Sequence, residues 1–209
     1  MNINLGNKGH LRNDSWTRLA YPTRILGVAM GFICFFSVAS ENKSSLSRME
    51  KKMVTLTSKS FLQNGEIPIR HTCDGQDISP QLSWTEVPAG TKSLVLIVDD
   101  PDAPDPAEPK MTWVHWVLYN IPLNISDLPE GVTREGLPSG TLEGINDWKR
   151  TGYGGPCPPI GTHRYFHKLY ALDAVLPDLK HPTKAALEEA MKSHVIANFE
   201  LIGRYRRSH

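Results

Sequence analysis

The segment SLVLIVDD at 93–100 constrains the fold more than any other. It is a continuous apolar run, rich in β-branched residues, and it is too short for a long helix. Such a run is what a buried strand requires. Two further strand signals follow. TWVHWVLYNIP at 112–122 alternates, and strict alternation puts Trp113, His115, Val117 and Tyr119 on one face. HRYFHKLYALD at 163–173 places His163, Tyr165 and His167 on one face and Arg164, Phe166 and Tyr170 on the other. Turn-forming clusters (VPAGTK, PDAPDPAEP and LPEGVTREGLPSG) separate the runs. One helix is expected over 181–196, with a proline near its start and Leu187, Met191 and Val195 spaced four apart. ANFELIGRYR then alternates again as a closing strand. Many strands and one or two helices predict a mainly β protein, a two-sheet antiparallel β-sandwich with peripheral helices.

The first 52 residues do not belong to this pattern. They carry 8 Lys/Arg against 3 Asp/Glu, whereas 53–209 carries 15 against 19. Arg12, Arg18 and Arg24 precede the apolar run 25–39, which has the length of a signal h-region and is short for a membrane span. Ser37 and Ala39 are small residues suited to cleavage before Ser40. The expectation is an exported chain, periplasmic or secreted, with no stable membrane span after processing. The alternative is a cytoplasmic protein that starts at Met49 or Met53. In either case 1–52 is a signal-like extension and linker, and 53–209 is the domain. The mildly acidic body argues against a nucleic-acid partner, which calls for a basic face.

Three segments of the body carry chemistry. DDPDAP at 99–104 ends the most apolar strand, and its prolines set Asp100 and Asp102 on a rigid corner. Those prolines also replace the glycine and terminal glutamate that a calcium loop uses. WVHW at 113–116 sets His115 among aromatics. YGGPCPPIGTHRY at 153–165 stiffens and bends the chain just before His163. Taken singly, each has a plain structural explanation: an acidic turn, a core histidine, a tight loop. Together they can line one small pocket in which loop N–H groups and histidines hold an anion. Aspartates beside the histidines orient the rings but repel a bare anion. The site therefore favours a partly protonated phosphate, or one that carries its own cationic or hydroxyl group. Cys34, Cys73 and Cys157 show no metal spacing, and no metal or other cofactor is expected. Cys73 (TCDG) and Cys157 (GPCPP) are either a bonded pair or two separate thiols, with separate thiols the default.

The segments HTCDGQDISPQLSW (71–84), DDPDAP, WVHW, GGPCPPIGTHRYFHKLYALD (154–173) and LIGRYRR (201–207) give the body a resemblance to the phosphatidylethanolamine-binding protein family, also called Raf kinase inhibitor-like proteins, in its bacterial and archaeal branch. The resemblance implies a two-sheet β-fold with a small surface pocket for phosphate-type groups. It assigns that pocket to Asp100, Asp102, Trp113, His115, Gly155, Pro158, Pro159, His163 and Tyr165. Two departures matter: the chain ends in a strand where eukaryotic relatives carry a helix, and Cys157 stands where they have glycine. Kinase inhibition is therefore not carried over, and any protein partner is unidentified. The expected function is non-enzymatic binding of a small phosphorylated or anionic ligand. The alternatives are a hydrolase or metal-dependent enzyme built on His115, His163 and Asp100, and a protein–protein modulator with a vestigial pocket.

Overall fold

The structure is a computed structural model that describes residues 55–208. The signal-like run 25–39, the cleavage position before Ser40 and the alternative starts Met49 and Met53 lie outside the described residues. The described residues form nine strands and one α-helix: β1 (Leu56–Thr57), β2 (Gly65–Glu66), β3 (Leu82–Trp84), β4 (Ser93–Ala103), β5 (Met111–Ile121), β6 (Asp127–Leu128), β7 (Leu142–Glu143), β8 (His163–Leu172), α1 (Lys184–Met191) and β9 (Val195–Tyr205). Short 3-10 turns occupy Ile69–His71 and Arg134–Gly136. Among the described residues no helix is long and apolar enough to cross a membrane.

The strands make two sheets. The larger runs β2-β9-β8-β4-β5-β7 and the smaller β1-β3-β6. All pairings are antiparallel except β2 with β9, which is parallel. β4 lies inside the larger sheet with β5 and β8 beside it, so both of its faces need cover. One face (Leu94, Leu96, Val98) packs with Trp116, Leu118, Tyr165 and Leu169 against Leu56, Leu82, Trp84 and Leu128 of the smaller sheet. The other face (Val95, Ile97) joins Val114, Val117 and Tyr119 beneath Leu187 and Met191 of α1. An unbroken apolar run is the only kind of sequence that suits both sides.

Two details differ from the sequence expectation. The alternation of β5 is broken. β4–β5 pairing passes from Val98↔Trp116 to Asp99↔Val114, so His115 is the extra residue of a β-bulge. Val117 and Tyr119 therefore face the helix side, while Trp113 and His115 turn to the other. A single inserted residue reverses the facing of everything beyond it. The helix is also shorter than 181–196. Its N-cap is Thr183, whose hydroxyl accepts the Ala186 N–H at 3.2 Å. It stops at Met191, and Val195 opens β9 opposite Leu172 instead of extending the helical stripe. A ladder along the whole of β8 outweighs one further apolar position at helical spacing.

α1 is fixed electrostatically as well as by apolar packing. Asp99 is fully buried, and Lys184 Nζ and Lys168 Nζ lie 2.6 and 2.8 Å from its carboxylate. Removing the anion strands two half-buried ammonium groups. Asp99→Asn is expected to lower unfolding free energy by about 3 kcal/mol, read from urea denaturation, with the α1 amides losing hydrogen-exchange protection first.

Candidate functional site

β4, β5 and β8 bring Asp100, Trp113, His115 and His163 to one end of the larger sheet, where the 154–161 loop covers them. These four, with Pro158 and Pro159, line a cavity of about 330 Å³. Ala103, Pro104, Met111, Trp148 and Cys157 complete the lining; Ala103, Met111 and Trp148 were not singled out by sequence reasoning, and Pro104 and Cys157 were noted there but not as pocket residues. Trp148 carried a faint signal, an aromatic in a polar loop (NDWKR), and in the fold it is 39% exposed. Its ring meets His115 edge-on at 5.1 Å and Trp113 at 5.4 Å.

Three expected residues stand outside the lining. Asp102 accepts from Arg164 through the backbone N–H (2.9 Å), Nε (2.9 Å) and Nη2 (2.6 Å). The guanidinium holds its carboxyl below the usual range. Tyr165 is buried behind the site, its ring edge-on to His115 at 5.2 Å, and burial raises its phenol pKa. Gly155 is buried within the loop. Its N–H donates to Asp77 Oδ1 at 2.6 Å, and a Cβ there would come within 2.4 Å of the His71 carbonyl.

The loop is tied down on several sides. Cys73 and Cys157 form a disulfide, with Cα atoms 5.4 Å apart. The default of two separate thiols is thus corrected: their loops adjoin because the Cys73 N–H donates to the Pro156 carbonyl and the Tyr153 hydroxyl to the His71 carbonyl. Closing a loop of this length stabilises the fold by about 4 kcal/mol in the chain-entropy model. Gly154 and His115 hold each other reciprocally. The Gly154 N–H donates to the His115 carbonyl at 3.1 Å, and His115 Nδ1 to the Gly154 carbonyl at 2.7 Å. A Cβ on Gly154 would lie 2.5 Å from the Trp148 ring, so glycine is what lets that wall close.

This wiring decides the chemistry. Burial lowers the His115 pKa to about 4. The ring is neutral near pH 7, with its proton on Nδ1, and Nε2 keeps a lone pair with no protein partner among the described residues. His163 meets an acceptor at each nitrogen, Asp100 Oδ2 at 2.7 Å and the Ile160 carbonyl at 3.0 Å. Asp100 Oδ1 accepts the Asp102 N–H at 2.8 Å, and burial raises the Asp100 pKa. The first loop donors expected to cradle an anion are turned elsewhere. Gly154 and Gly155 donate to protein acceptors, and Pro156, Pro158 and Pro159 have no N–H. The cavity thus combines apolar walls with one open acceptor, His115 Nε2, and suits a ligand that brings a proton to it. Among the described residues no three His, Cys, Asp or Glu side chains gather as a metal site.

The family model for phosphatidylethanolamine-binding protein matches residues 57–206. The chain belongs to the phosphatidylethanolamine-binding protein family. Its bacterial and archaeal affinity is plain in its relatives. A UPF0098 protein of Methanothermobacter thermautotrophicus is 50% identical over 155 residues, covering 74% of this chain and 99% of that one. A UPF0098 protein of Aquifex aeolicus is 46% identical, covering 72% and 86%. Two solved members of the phosphatidylethanolamine-binding protein family share the fold. A homolog from Chlamydia trachomatis matches with TM-score 0.68 and 42% identity, over 74% of this chain and 98% of that one. YbcL of Escherichia coli matches with TM-score 0.67 and 32% identity, over 74% and 99%.

Stability should fall in mild acid. His115 and His167 both have pKa values lowered to about 4 by burial, and burial also lowers that of His71. Unfolding restores a value near 6.5, so the unfolded chain takes up protons first as pH falls. The stabilisation is full above pH 6.5 and is lost on descent toward 4. Each fully buried ring adds a slope approaching about 1.4 kcal/mol per pH unit. The raised Asp100 pKa opposes the trend, because there the folded state binds the proton first. Urea unfolding between pH 7.5 and 4.5 measures the slope, and His167→Gln should flatten it. In a separate measurement, reduction of Cys73–Cys157 should lower the urea midpoint, whereas a Cys73→Ser/Cys157→Ser variant should no longer respond to reductant.

Proposed function

We propose that this protein binds a small phosphate-bearing ligand in the cavity at the end of β4, β5 and β8, and does not turn it over. The observation that carries this reading is His115 Nε2. It is a neutral ring acceptor with no protein partner among the described residues, set beside the Asp100–His163 pair in a cavity walled by Trp113, Trp148 and Met111. A fully deprotonated phosphate monoester has no proton to offer Nε2. A singly protonated phosphate monoester can donate its O–H to Nε2. One that also carries an ammonium group, as a phosphoethanolamine headgroup does, complements Asp100 as well. The family's name supports the same class of ligand.

The lining is poorly equipped for hydrolysis. The Cys157 sulfur is held in the disulfide, and the prolines give no N–H to stabilise charge that develops only in a transition state. The disulfide, exposed on the loop, also suits an oxidising compartment, and this supports the export reading of the run at 25–39.

O-Phosphoethanolamine and inorganic phosphate, titrated at pH 6 and pH 8, test the proposal. Binding should be tighter at pH 6, where a larger share of each ligand has its phosphate group in the monoanionic form, with one more O–H to donate than at pH 8. At 100 times the dissociation constant the fold should gain about 2.7 kcal/mol of stability. His115→Ala should abolish that gain and leave the Asp100–His163 pair in place. An equal thermal shift in parent and variant refutes the assignment. Release of phosphate from O-phosphoethanolamine that disappears in His115→Ala would make the protein an enzyme.

A further inference from the structure

A second cavity, of about 270 Å³, lies on the other side of the 151–155 strip from the first. Its walls include the rings of Trp116 and Tyr153, which meet edge-on at 5.7 Å. Ser79 and Glu143 also line it, only 2% and 7% exposed. Ser79 Oγ and Glu143 Oε2 are both buried without a hydrogen-bond partner. A buried polar atom left in that state costs free energy, and a charged one costs more. The nearest cation to Glu143 is Arg134, whose Nε stands 3.8 Å from Oε2, too far to donate, on a side chain 69% exposed. A second carboxylate, Asp77, lines the same cavity and has given Oδ1 to the Gly155 N–H.

We infer that this cavity is a binding site for a small primary ammonium ion. Two unsatisfied oxygens on separate residues call for a ligand with at least two N–H or O–H donors. The lining holds two carboxylates, Asp77 and Glu143, against one guanidinium, Arg134, with the exposed Arg150 3.7 Å from Asp77 Oδ2, and the buried, unpartnered oxygen at Glu143 favours a cation. One carboxylate oxygen and one hydroxyl are too few hard ligands for calcium or magnesium, which take six or more oxygens. The aromatic walls and the volume accept a short alkyl chain behind the ammonium group. The site is independent of the phosphate-ligand reading, because it shares no lining residue with the first cavity.

The experiment is a titration of the full chain with n-propylammonium chloride, followed by the amide resonances of Gly131 and Gly152, both in the lining. Saturable shifts at these two positions are expected. Glu143→Gln keeps the shape and removes the charge, and should weaken binding about 10- to 100-fold. Ser79→Ala should weaken it less, tetramethylammonium should bind poorly for want of N–H groups, and His115→Ala should leave the titration unchanged. If Glu143→Gln does not fold, Ser79→Ala and the tetramethylammonium comparison decide alone. Absence of saturable shifts at Gly131 and Gly152, equal binding of tetramethylammonium, or unchanged affinity in the variants that fold would overturn the assignment and leave the two oxygens to water.

Discussion

The molecule is organised by the need to cover β4 on both faces. Over residues 94–98 the strand is apolar on both sides and has none to offer water, so a sheet alone cannot satisfy it. The smaller sheet closes one face around Leu94, Leu96 and Val98, and α1 closes the other around Val95 and Ile97. This sandwiching brings β5 and β8 alongside and fixes which residues meet where β4 ends.

At that end the strand turns from apolar to acidic, and each carboxylate acquires a different partner. Asp99 faces the helix side and is matched by Lys168 and Lys184. Asp100 faces the cavity and is matched by His163. Asp102 is matched by Arg164. One short acidic run thus docks a helix, sets the polar floor of a cavity and pins a neighbouring strand. Alternation along β4 separates the first two roles, because adjacent side chains point to opposite faces.

The strip from Thr151 to Cys157 does comparable work in the loops. It walls both cavities and is tied to four other segments: Tyr153 to His71, Gly154 to His115, Gly155 to Asp77, Pro156 to Cys73. Close approach without side chains at Gly154 and Gly155 makes this possible, and the disulfide holds the result. The stiffness visible in YGGPCPPIGTHRY therefore shapes walls. It turns the N–H groups of Gly154 and Gly155 away to His115 and Asp77, and leaves His115 Nε2 open as an acceptor.

Sequence alone determined the long strands, the sandwich class, the family and most of the residues around the cavity, because these depend on local pattern: apolar runs, alternation, and prolines at fixed offsets. It could not place Trp148, Met111 or the Cys73–Cys157 bond, since these are contacts between segments far apart in the chain. It also misassigned the faces of β5, because a bulge at His115 is a property of pairing with β4, and the residue count of one strand does not contain it. The state of the histidines was equally out of reach. Whether His115 offers a proton or a lone pair depends on burial and on the Gly154 carbonyl, and His163 is engaged by an aspartate 63 positions away. Composition and spacing set which groups are available. Only the tertiary structure decides which of them are already satisfied, because a hydrogen bond or an ion pair belongs to two places in the chain at once.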